Sequence, residues 1–167
     1  MLKVSVIIPT LNEEKYLPLL LNDIRKQTYK NFEVIVVDGM SNDKTCELAE
    51  NYKKTIYNLT VCKVNKRNIG FQRNFGVKKA KGEWVFIMDA DTRVEHNYFE
   101  LLMEKISALN SRVFITTGVY IDKSNLVNFF LSLYINIGLF LFPKIGFPWL
   151  IGAFVGIRKI DFLSLAG

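Results

Sequence analysis

Two aspartates separated by one residue, Asp89 and Asp91, follow an apolar run in the stretch Gly82–Arg93, GEWVFIMDADTR. The run Trp84–Met88 shows no polar alternation, which is typical of a parallel strand buried on both faces. In such sheets, ligands bind at the carboxyl ends of the strands. Carboxylate oxygens suit Mg2+ and Mn2+, and these ions in turn bridge phosphates. The pair therefore indicates a metal site, although an acidic turn after a strand would have the same sequence.

A polar segment also follows the first predicted strand, Val4–Ile8, which is closed by Pro9. Thr10 and Glu13 have the Thr-x-x-Glu spacing of a capping box, and they precede a helix with leucines on one face. We expect an irregular entry to that helix, lying over the end of the sheet. Asn12 and Glu13 would then lie where a ligand binds.

The second predicted strand, Glu33–Val37, again ends in a carboxylate, Asp38. Asp38 has two interpretations, a turn former beside Gly39 or a ligand contact at the edge of the sheet. Ser41 or Asn42 is predicted to cap the helix that follows. Two strands of one small domain thus end in aspartate.

A third strand is predicted at Leu59–Val64, and the sequence GFQRNFGVKKAKG after it predicts a short helix with Gly82 as its C-cap. Arg73 lies in this helix, just before the strand that leads to Asp89. Its guanidinium would pair with a diphosphate or with one of the aspartates, or form a surface salt bridge of small energetic value. Its place between a glycine-flanked loop and the Asp89 strand favours a functional role.

The order of elements predicts the fold class. Beyond the aspartates, Tyr98–Leu109 reads as an amphipathic helix and Val113–Tyr120 as a further strand. Alternating strands and helices favour right-handed βαβ crossovers. The sequence therefore predicts an α/β fold with a mainly parallel central sheet.

Composition narrows the class of partners. The chain has 167 residues, a net charge of +6 and 50% apolar residues. Its basic residues are spread, without the long run of a nucleic-acid arm, so no nucleic-acid partner is predicted. Cys46 and Cys62 form no close pair and no cluster with His96, which argues against zinc. The first residues run directly into a strand instead of a signal peptide, which predicts a cytoplasmic protein.

An apolar segment, Leu126–Phe142, is nearly long enough to span a bilayer, and a second stretch, Ile145–Ile157, follows it. Polar and helix-breaking residues interrupt both. Three interpretations are open: an interfacial helix, a marginal span, or a buried helix that leads to a core strand at Leu150–Ile157. The many phenylalanines and the flanking lysines favour membrane-surface contact through 126–157, at the cytoplasmic face.

Four motifs in this order resemble glycosyltransferase family 2 on the GT-A fold. VSVIIPTLNEEKYL resembles the first strand and its Pro-x-x-Asn-Glu loop, VIVVDGMSNDKT the nucleotide-contacting motif, GFQRNFG the Arg-Asn-x-Gly helix, and IMDADT the Asp-x-Asp metal motif. The resemblance covers Val4–Thr92 best. It implies a Rossmann-like, three-layer GT-A domain over residues 1–167. Residues 1–122 would bind the nucleotide sugar, and residues 123–167 would form the acceptor or membrane side of a chain truncated at its C-terminus.

The resemblance also implies a site. Asp38 would contact the base, Arg73 would lie near the donor phosphates, Asp89 would face the ribose and donor, and Asp91 would be the principal ligand of Mg2+ or Mn2+. A divalent cation offsets the charge that gathers on a departing nucleoside diphosphate. The residues expected to bind a UDP- or GDP-sugar are Pro9, Thr10, Asn12, Glu13, Asp38, Arg73 and Asp89.

The sequence departs from the family pattern in two places. Gly39 and Met40 stand where many relatives carry a second aspartate and a glycine, which leaves the donor base open. Inverting members also use a later carboxylate as the base that deprotonates the acceptor. GAFVGIRKIDFLSLAG resembles the segment before that motif, and Asp161 within it fits a helix cap better than a base. We expect the base beyond Gly167 or elsewhere.

These features predict a metal-dependent glycosyltransferase that inverts the anomeric centre and acts on a lipid-linked acceptor. Two alternatives are open. A module that holds a nucleotide sugar without turnover agrees with the missing base. A sugar-phosphate nucleotidyltransferase would use the same strand ends. It would normally have a glycine-rich basic loop after the first strand, whereas PTLNEEKY is acidic.

Overall fold

The computed structural model describes residues 3–109 and 154–165. Within them one five-stranded sheet has the order β3-β2-β1-β4-β5. The strands are β1 (Val4–Thr10), β2 (Phe32–Asp38), β3 (Leu59–Lys63), β4 (Trp84–Met88) and β5 (Phe154–Arg158). The helices are α1 (Leu17–Arg25), α2 (Thr45–Tyr52), α3 (Ile69–Lys79), α4 (Tyr98–Leu109) and α5 (Lys159–Leu165). The predicted elements at Val113–Tyr120 and Leu126–Phe142 lie outside the described residues.

The sheet is mainly parallel, as the alternation of elements predicts. β1 pairs in parallel with β2 and β4, and β2 pairs in parallel with β3. β5 runs antiparallel to β4 at the edge. The carboxyl ends of the first four strands therefore lie at the same end of the sheet. The residues predicted to form the site lie at or near this end.

Helices cover both faces of the sheet. Val4, Val6 and Ile8 of β1 pack in a core with apolar residues of α1, α2 and α4. Ile7 points to the other face and packs with residues of α3 and α5. Because β1, β2 and β4 are buried on both faces, these strands can be apolar without alternation. The predicted three-layer α/β architecture is confirmed.

Pro9 limits how far β1 pairs on one side. The register of β1 with β2 continues to Thr10 opposite Asp38, whereas the register of β1 with β4 stops at Ile7 opposite Ile87. Proline has no N–H and cannot extend a ladder. The ends of β1 and β2 therefore stay joined, while β4 continues to Asp89 without further pairing to β1.

Two glycines permit close packing around β1. A Cβ on Gly76 of α3 would lie 2.3 Å from Ile7 Cγ2, so only glycine lets this helix lie so close to the sheet. The prediction of Gly82 as a C-cap is wrong, because Ala80 is the C-cap of α3. Gly82 instead passes β1, where a Cβ would lie 2.6 Å from the Val4 carbonyl carbon.

The predicted caps of the first two helices are also wrong. Thr10 is the last residue of β1, and α1 has Tyr16 at its N-cap without a side-chain hydrogen bond. Lys44, not Ser41 or Asn42, is the N-cap of α2, again without a side-chain bond. The polar side chains near these caps are engaged between the loops instead, because hydrogen bonds to a neighbouring loop satisfy them equally well.

The end of the apolar segment forms part of the core. Phe154 and Ile157 of β5 are buried, and the Phe154 ring lies 5.4 Å from that of Phe86. For Phe154–Ile157 the core-strand interpretation is therefore confirmed, and these residues are not available for membrane contact. None of the helices within the described ranges is long and apolar enough to cross a bilayer.

Candidate active site

Asp89 and Asp91 lie on the turn that follows β4. The residue between them, Ala90, is buried, which directs both neighbours away from the core. The turn is closed by Thr92 N, which donates to Asp89 O at 3.1 Å. Arg93 then binds the nearly buried Asp23 of α1 through Nε at 2.5 Å and through Nη2 at 2.9 Å. The backbone that carries the two aspartates is thus fixed at both ends.

Arg73 of α3 reaches the same turn. Its Nη2 lies 2.8 Å from Asp89 Oδ1, and the two side chains are 26% and 31% exposed. Of the partners predicted for Arg73, the structure shows an aspartate. Because both side chains keep some exposure to solvent, this charge-assisted bond contributes only modestly to stability. The guanidinium offsets the charge of Asp89 and leaves that of Asp91 without a salt-bridge partner among the described ion pairs.

Glu13, in the loop after β1, lies within electrostatic range of the turn. Burial raises the pKa of Glu13, and the carboxylates of Asp91, Asp43 and Asp89 raise it further. Four acidic side chains from three loops therefore converge. Within the ranges 3–109 and 154–165, no three His, Cys, Asp or Glu side chains are arranged to hold a metal by themselves. This donor set fits an ion that takes one or two carboxylates and completes its shell with substrate phosphates.

The loops after β1 and β2 are joined by reciprocal hydrogen bonds. Asn12 N donates to Ser41 Oγ at 2.8 Å, and Asn42 N donates to Asn12 Oδ1 at 2.8 Å. Glu13 N donates to Thr45 Oγ1 at 2.7 Å. Asn12 has a φ of 58°, in the left-handed region that asparagine tolerates better than most residues. These bonds fix the backbone that carries Asn12 and Glu13.

Asp43 strengthens the same connection. Its Oδ2 accepts from Glu14 N at 3.1 Å, and its Oδ1 accepts from Thr45 N at 3.0 Å. Burial alone would raise its pKa, but the bonds from Thr45 and Glu14 hold the pKa of Asp43 below its ordinary value. Asp43 therefore stays ionised beside Glu13.

Asp38 is held at the end of β2 and is only 2% exposed. Thr10 Oγ1 donates to its Oδ1 at 3.2 Å, and Ser41 N donates to its Oδ2 at 3.0 Å. The Ser41 hydroxyl also donates to Oδ1. Thr10 and Asp38, both predicted from sequence, are thus brought into direct contact.

A cavity of about 480 Å3 opens beside this carboxylate. We call it the Asp38 cavity; its lining residues are Asp38, Met40, Ser41, Asp43, Cys46, Glu47, Lys63, Val64 and Asn65. Burial and a hydrogen bond to Asp38 raise the pKa of Cys46 to about 11, so its thiol stays protonated at neutral pH. A larger cavity of about 550 Å3, lined by Lys3, Gly82 and Lys159 among others, lies at the amino ends of β1 and β4, at the opposite end of the sheet from Asp38 and Asp89.

The structure also shows what the sequence analysis missed. Cys46 and Lys63 line the Asp38 cavity. Lys63 is opposite Asp38 in the parallel register, a relation that only strand pairing reveals. Pro9, which was predicted to line the nucleotide pocket, is buried within β1 and is not among the residues that line the Asp38 cavity.

This fold, with acidic turns at the ends of parallel strands, belongs to a known class. The chain matches the model of glycosyl transferase family 2 over residues 5–162, and it belongs to that family. It is 35% identical over 128 residues to the poly(ribitol-phosphate) β-N-acetylglucosaminyltransferase TarS of Staphylococcus aureus. The aligned segment covers 67% of the chain and 22% of TarS. It is 32% identical to the glycosyltransferase GlyG of Streptococcus pneumoniae, covering 73% of the chain and 41% of GlyG. The chain thus spans less than half the length of these relatives.

Solved structures agree with the GT-A assignment. S. aureus TarS 1–349 in complex with UDP-GlcNAc superposes with a TM-score of 0.73 at 26% identity, over 99% of this chain and 48% of that one. The mannosyltransferase PcManGT of Pyrobaculum calidifontis, in complex with GDP-Man and Mn2+, gives a TM-score of 0.74 at 24% identity, over 99% of this chain and 47% of that one. The second likeness is one of fold. The predicted family and fold are both confirmed.

Proposed function

We propose that this chain carries the donor site of a metal-dependent glycosyltransferase, which moves a sugar from a nucleoside diphosphate sugar to an acceptor with inversion. One observation carries the proposal: Glu13, Asp89, Asp91 and Arg73 converge at the carboxyl ends of β1 and β4. This cluster shares its edge of the sheet with the Asp38 cavity. It combines the acidic groups that a divalent ion needs with a guanidinium suited to a diphosphate.

The two parts of the site take different parts of the donor. The Asp38 cavity takes the nucleoside, with the carboxylate of Asp38 accepting from the base. Asp91 is the main ligand of a divalent ion, Mg2+ or Mn2+, and Asp89 is the second. When bound, that ion supplies positive charge to the diphosphate as the leaving group. Arg73 exchanges its bond with Asp89 for the donor phosphates, because both partners are anionic oxygens of similar geometry.

A uridine or guanosine diphosphate sugar is the donor class we propose. TarS, a relative, is described in complex with UDP and with UDP-GlcNAc. Uracil and guanine each carry an N–H group that can donate a hydrogen bond to a carboxylate such as that of Asp38. The contact therefore agrees with either base.

The acceptor side is assigned to the C-terminal part of the chain, of which residues 154–165 are described. We assign residues 1–122 to donor binding and residues 123–167 to the acceptor side, with a lipid-linked acceptor at the cytoplasmic membrane face. Asp161 is not the catalytic base. It lies in the first turn of α5, after Arg158 of β5, which pairs with Trp84 at the amino end of β4. That is the opposite end of the sheet from Asp89.

The test is calorimetric titration of the purified chain with UDP, GDP and their sugars, with and without Mn2+. We expect metal-dependent binding of one nucleotide, and Asp91→Ala should weaken it by about 100-fold, the scale on which metal-site substitutions act. Asp161→Asn, the matched control at the other end of the sheet, should bind like the parent. Equal binding by Asp91→Ala and the parent would refute the site.

A transfer assay distinguishes the proposed glycosyltransferase from a nucleotide-sugar-binding module and from a nucleotidyltransferase. Release of UDP or GDP with a new glycosidic bond would support the proposal. Binding without transfer would indicate a holding module. Release of pyrophosphate from a nucleoside triphosphate and a sugar phosphate would indicate a nucleotidyltransferase.

A further inference from the structure

Gln72 of α3 is a buried polar residue for which the proposed function gives no direct role. Its side chain is 3% exposed. Its Nε2 donates to Thr10 O and to Val37 O, both at 2.8 Å. Both amide hydrogens are therefore used on backbone carbonyls, one from each of two neighbouring strands. Such a buried amide costs free energy unless it is bonded in this way, so its geometry is tightly defined.

The two carbonyls lie where the strands end. Thr10 is the last residue of β1, and Val37 is the last but one of β2. Beyond them the chain enters the two loops that carry Asn12, Glu13 and Asp38. Gln72 thus bridges β1 and β2 at the point where the sheet gives way to the site.

Gln72 also occupies space beside Gly39. A Cβ at position 39 would lie 2.9 Å from Gln72 Cδ and 3.0 Å from both Nε2 and Oε1. The amide group and any side chain at position 39 therefore compete for one volume. Gly39 N donates to Thr10 O at 2.9 Å, so this carbonyl accepts hydrogen bonds from both the Gly39 backbone and the Gln72 side chain. The glycine after Asp38 is thereby explained by the glutamine on the facing helix.

The next residue of α3, Arg73, connects this helix to the turn after β4. Successive residues of a helix point about 100° apart, so Gln72 faces β1 and β2 while Arg73 faces the turn after β4. Gly76, one turn later, lets α3 lie close enough to the sheet for both contacts. One short helix segment thus holds the ends of three strands.

We propose that Gln72 is a positioning residue for the nucleotide: its two hydrogen bonds hold the β1 and β2 loops in the shape that binds the donor, and Gly39 is its required partner. This inference rests on the proposed function for its binding readout. Gln72 does not touch the donor. It fixes the backbone from which Asn12, Glu13 and Asp38 extend.

The first test replaces the amide without changing the volume. Gln72→Met keeps a similar size and removes both donors. We expect the affinity for UDP or GDP with Mn2+ to fall by about tenfold, as when a supporting partner of a binding residue is lost. The matched control is Ser5→Ala, which removes buried hydrogen bonds to Glu33 and from Gly82 in the same strand β1, roughly 16 Å from Thr10. It should lose stability but bind within twofold of the parent.

Amide hydrogen exchange gives a readout that needs no ligand. In Gln72→Met the amides of Asn12, Glu13 and Asn42 should exchange faster than in Ser5→Ala, because only the former loosens the two loops. Unchanged exchange, or nucleotide affinity equal to that of the parent, would overturn the inference. A parent chain that binds no nucleotide would refute the proposed function instead, and the exchange comparison would still decide the role of Gln72.

A double-mutant cycle tests the pairing with Gly39. Gly39→Ala should weaken nucleotide binding, because the new methyl group displaces the Gln72 amide. In a Gln72→Ala background, where the space is vacant, the same change should have little further effect. Additive effects of the two substitutions would contradict the partnership.

Discussion

The two ends of the sheet both carry polar side chains but use them differently. At the amino end, Ser5 Oγ donates to Glu33 Oε1 at 2.6 Å and accepts from Gly82 N at 2.8 Å. Lys81 N donates to the same Glu33 oxygen at 2.6 Å. Ser5, Glu33 and the Lys81 and Gly82 amides thus satisfy one another within the protein. At the carboxyl end, Glu13 instead faces the like charges of Asp91, Asp43 and Asp89.

The contrast separates stability from binding. A buried polar cluster in which donors meet acceptors stabilises the fold, and breaking it is costly. A cluster of like charges costs stability unless a ligand or a cation neutralises it. The amino end of the sheet therefore contributes to stability, whereas the carboxyl end carries the uncompensated negative charge that a cation would neutralise under the proposed function.

The largest effect on stability should come from the amino end. Glu33→Ala removes the acceptor of Ser5 Oγ and Lys81 N and leaves a cavity, so we expect a loss of about 2–4 kcal/mol in the free energy of unfolding. Urea unfolding measures it. Nucleotide affinity should stay within twofold of the parent. A large loss of nucleotide affinity in a folded Glu33→Ala variant would contradict the assignment of stability to the amino end of the sheet and of binding to the carboxyl end.

Arg73→Met should show the opposite pattern at the carboxyl end. The pair with Asp89 is partly exposed, so its removal should change stability by less than about 1 kcal/mol. Nucleoside diphosphate affinity should fall by about tenfold, because charge-assisted bonds to phosphate are strong. Lys53→Met, which removes the exposed pair with Glu50, is the control and should leave binding unchanged. Titration calorimetry and thermal unfolding on both variants give the comparison.

The sequence predicted the ends of β2 and β4 to within one residue, since apolar runs that stop at Asp38 and Asp89 are local signals. β1 instead continues through Pro9, its predicted end, to Thr10. The GT-A family motifs then predicted which residues lie at one edge of the sheet, and the structure brings Thr10 to Asp38 and Arg73 to Asp89. Parallel strands necessarily gather their carboxyl ends, so the approximate composition of the site followed from the order of elements.

The sequence did not predict how the loops are joined. Ser41 and Thr10 have the residue types of helix caps, but the hydroxyl of each donates to Asp38 instead. Local spacing cannot distinguish a cap from a bond to another loop, because both satisfy the same groups. Gln72 gave no signal either, since its partners are backbone carbonyls of two strands more than thirty residues away in sequence.

Glu13→Gln should give the smallest effect and is the most direct test of the contrast between the two ends of the sheet. The pKa of Glu13 is raised in the folded protein by burial and by its acidic neighbours. When folding raises the pKa of a carboxyl group, its protonated form favours the folded state. This contribution is fully present below the pKa of the unfolded chain and is lost as the pH rises through the pKa of the folded protein. The ionised Glu13 of the parent therefore costs stability at pH 7, and Gln at position 13 should raise the melting temperature there by about 1–3 °C.

The pH dependence and the metal response complete this prediction. The advantage of Glu13→Gln should shrink as the pH falls towards the ordinary glutamate value of 4.5, where the parent is protonated as well. Mn2+ should raise the melting temperature of the parent more than that of the variant, because a cation among the carboxylates relieves a repulsion that the variant lacks. Glu47→Gln, on the rim of the Asp38 cavity, should show neither effect. A melting-temperature difference that is independent of pH and of Mn2+ would mean that the acidic cluster does not act on Glu13, and the contrast between the two ends of the sheet would have to be abandoned.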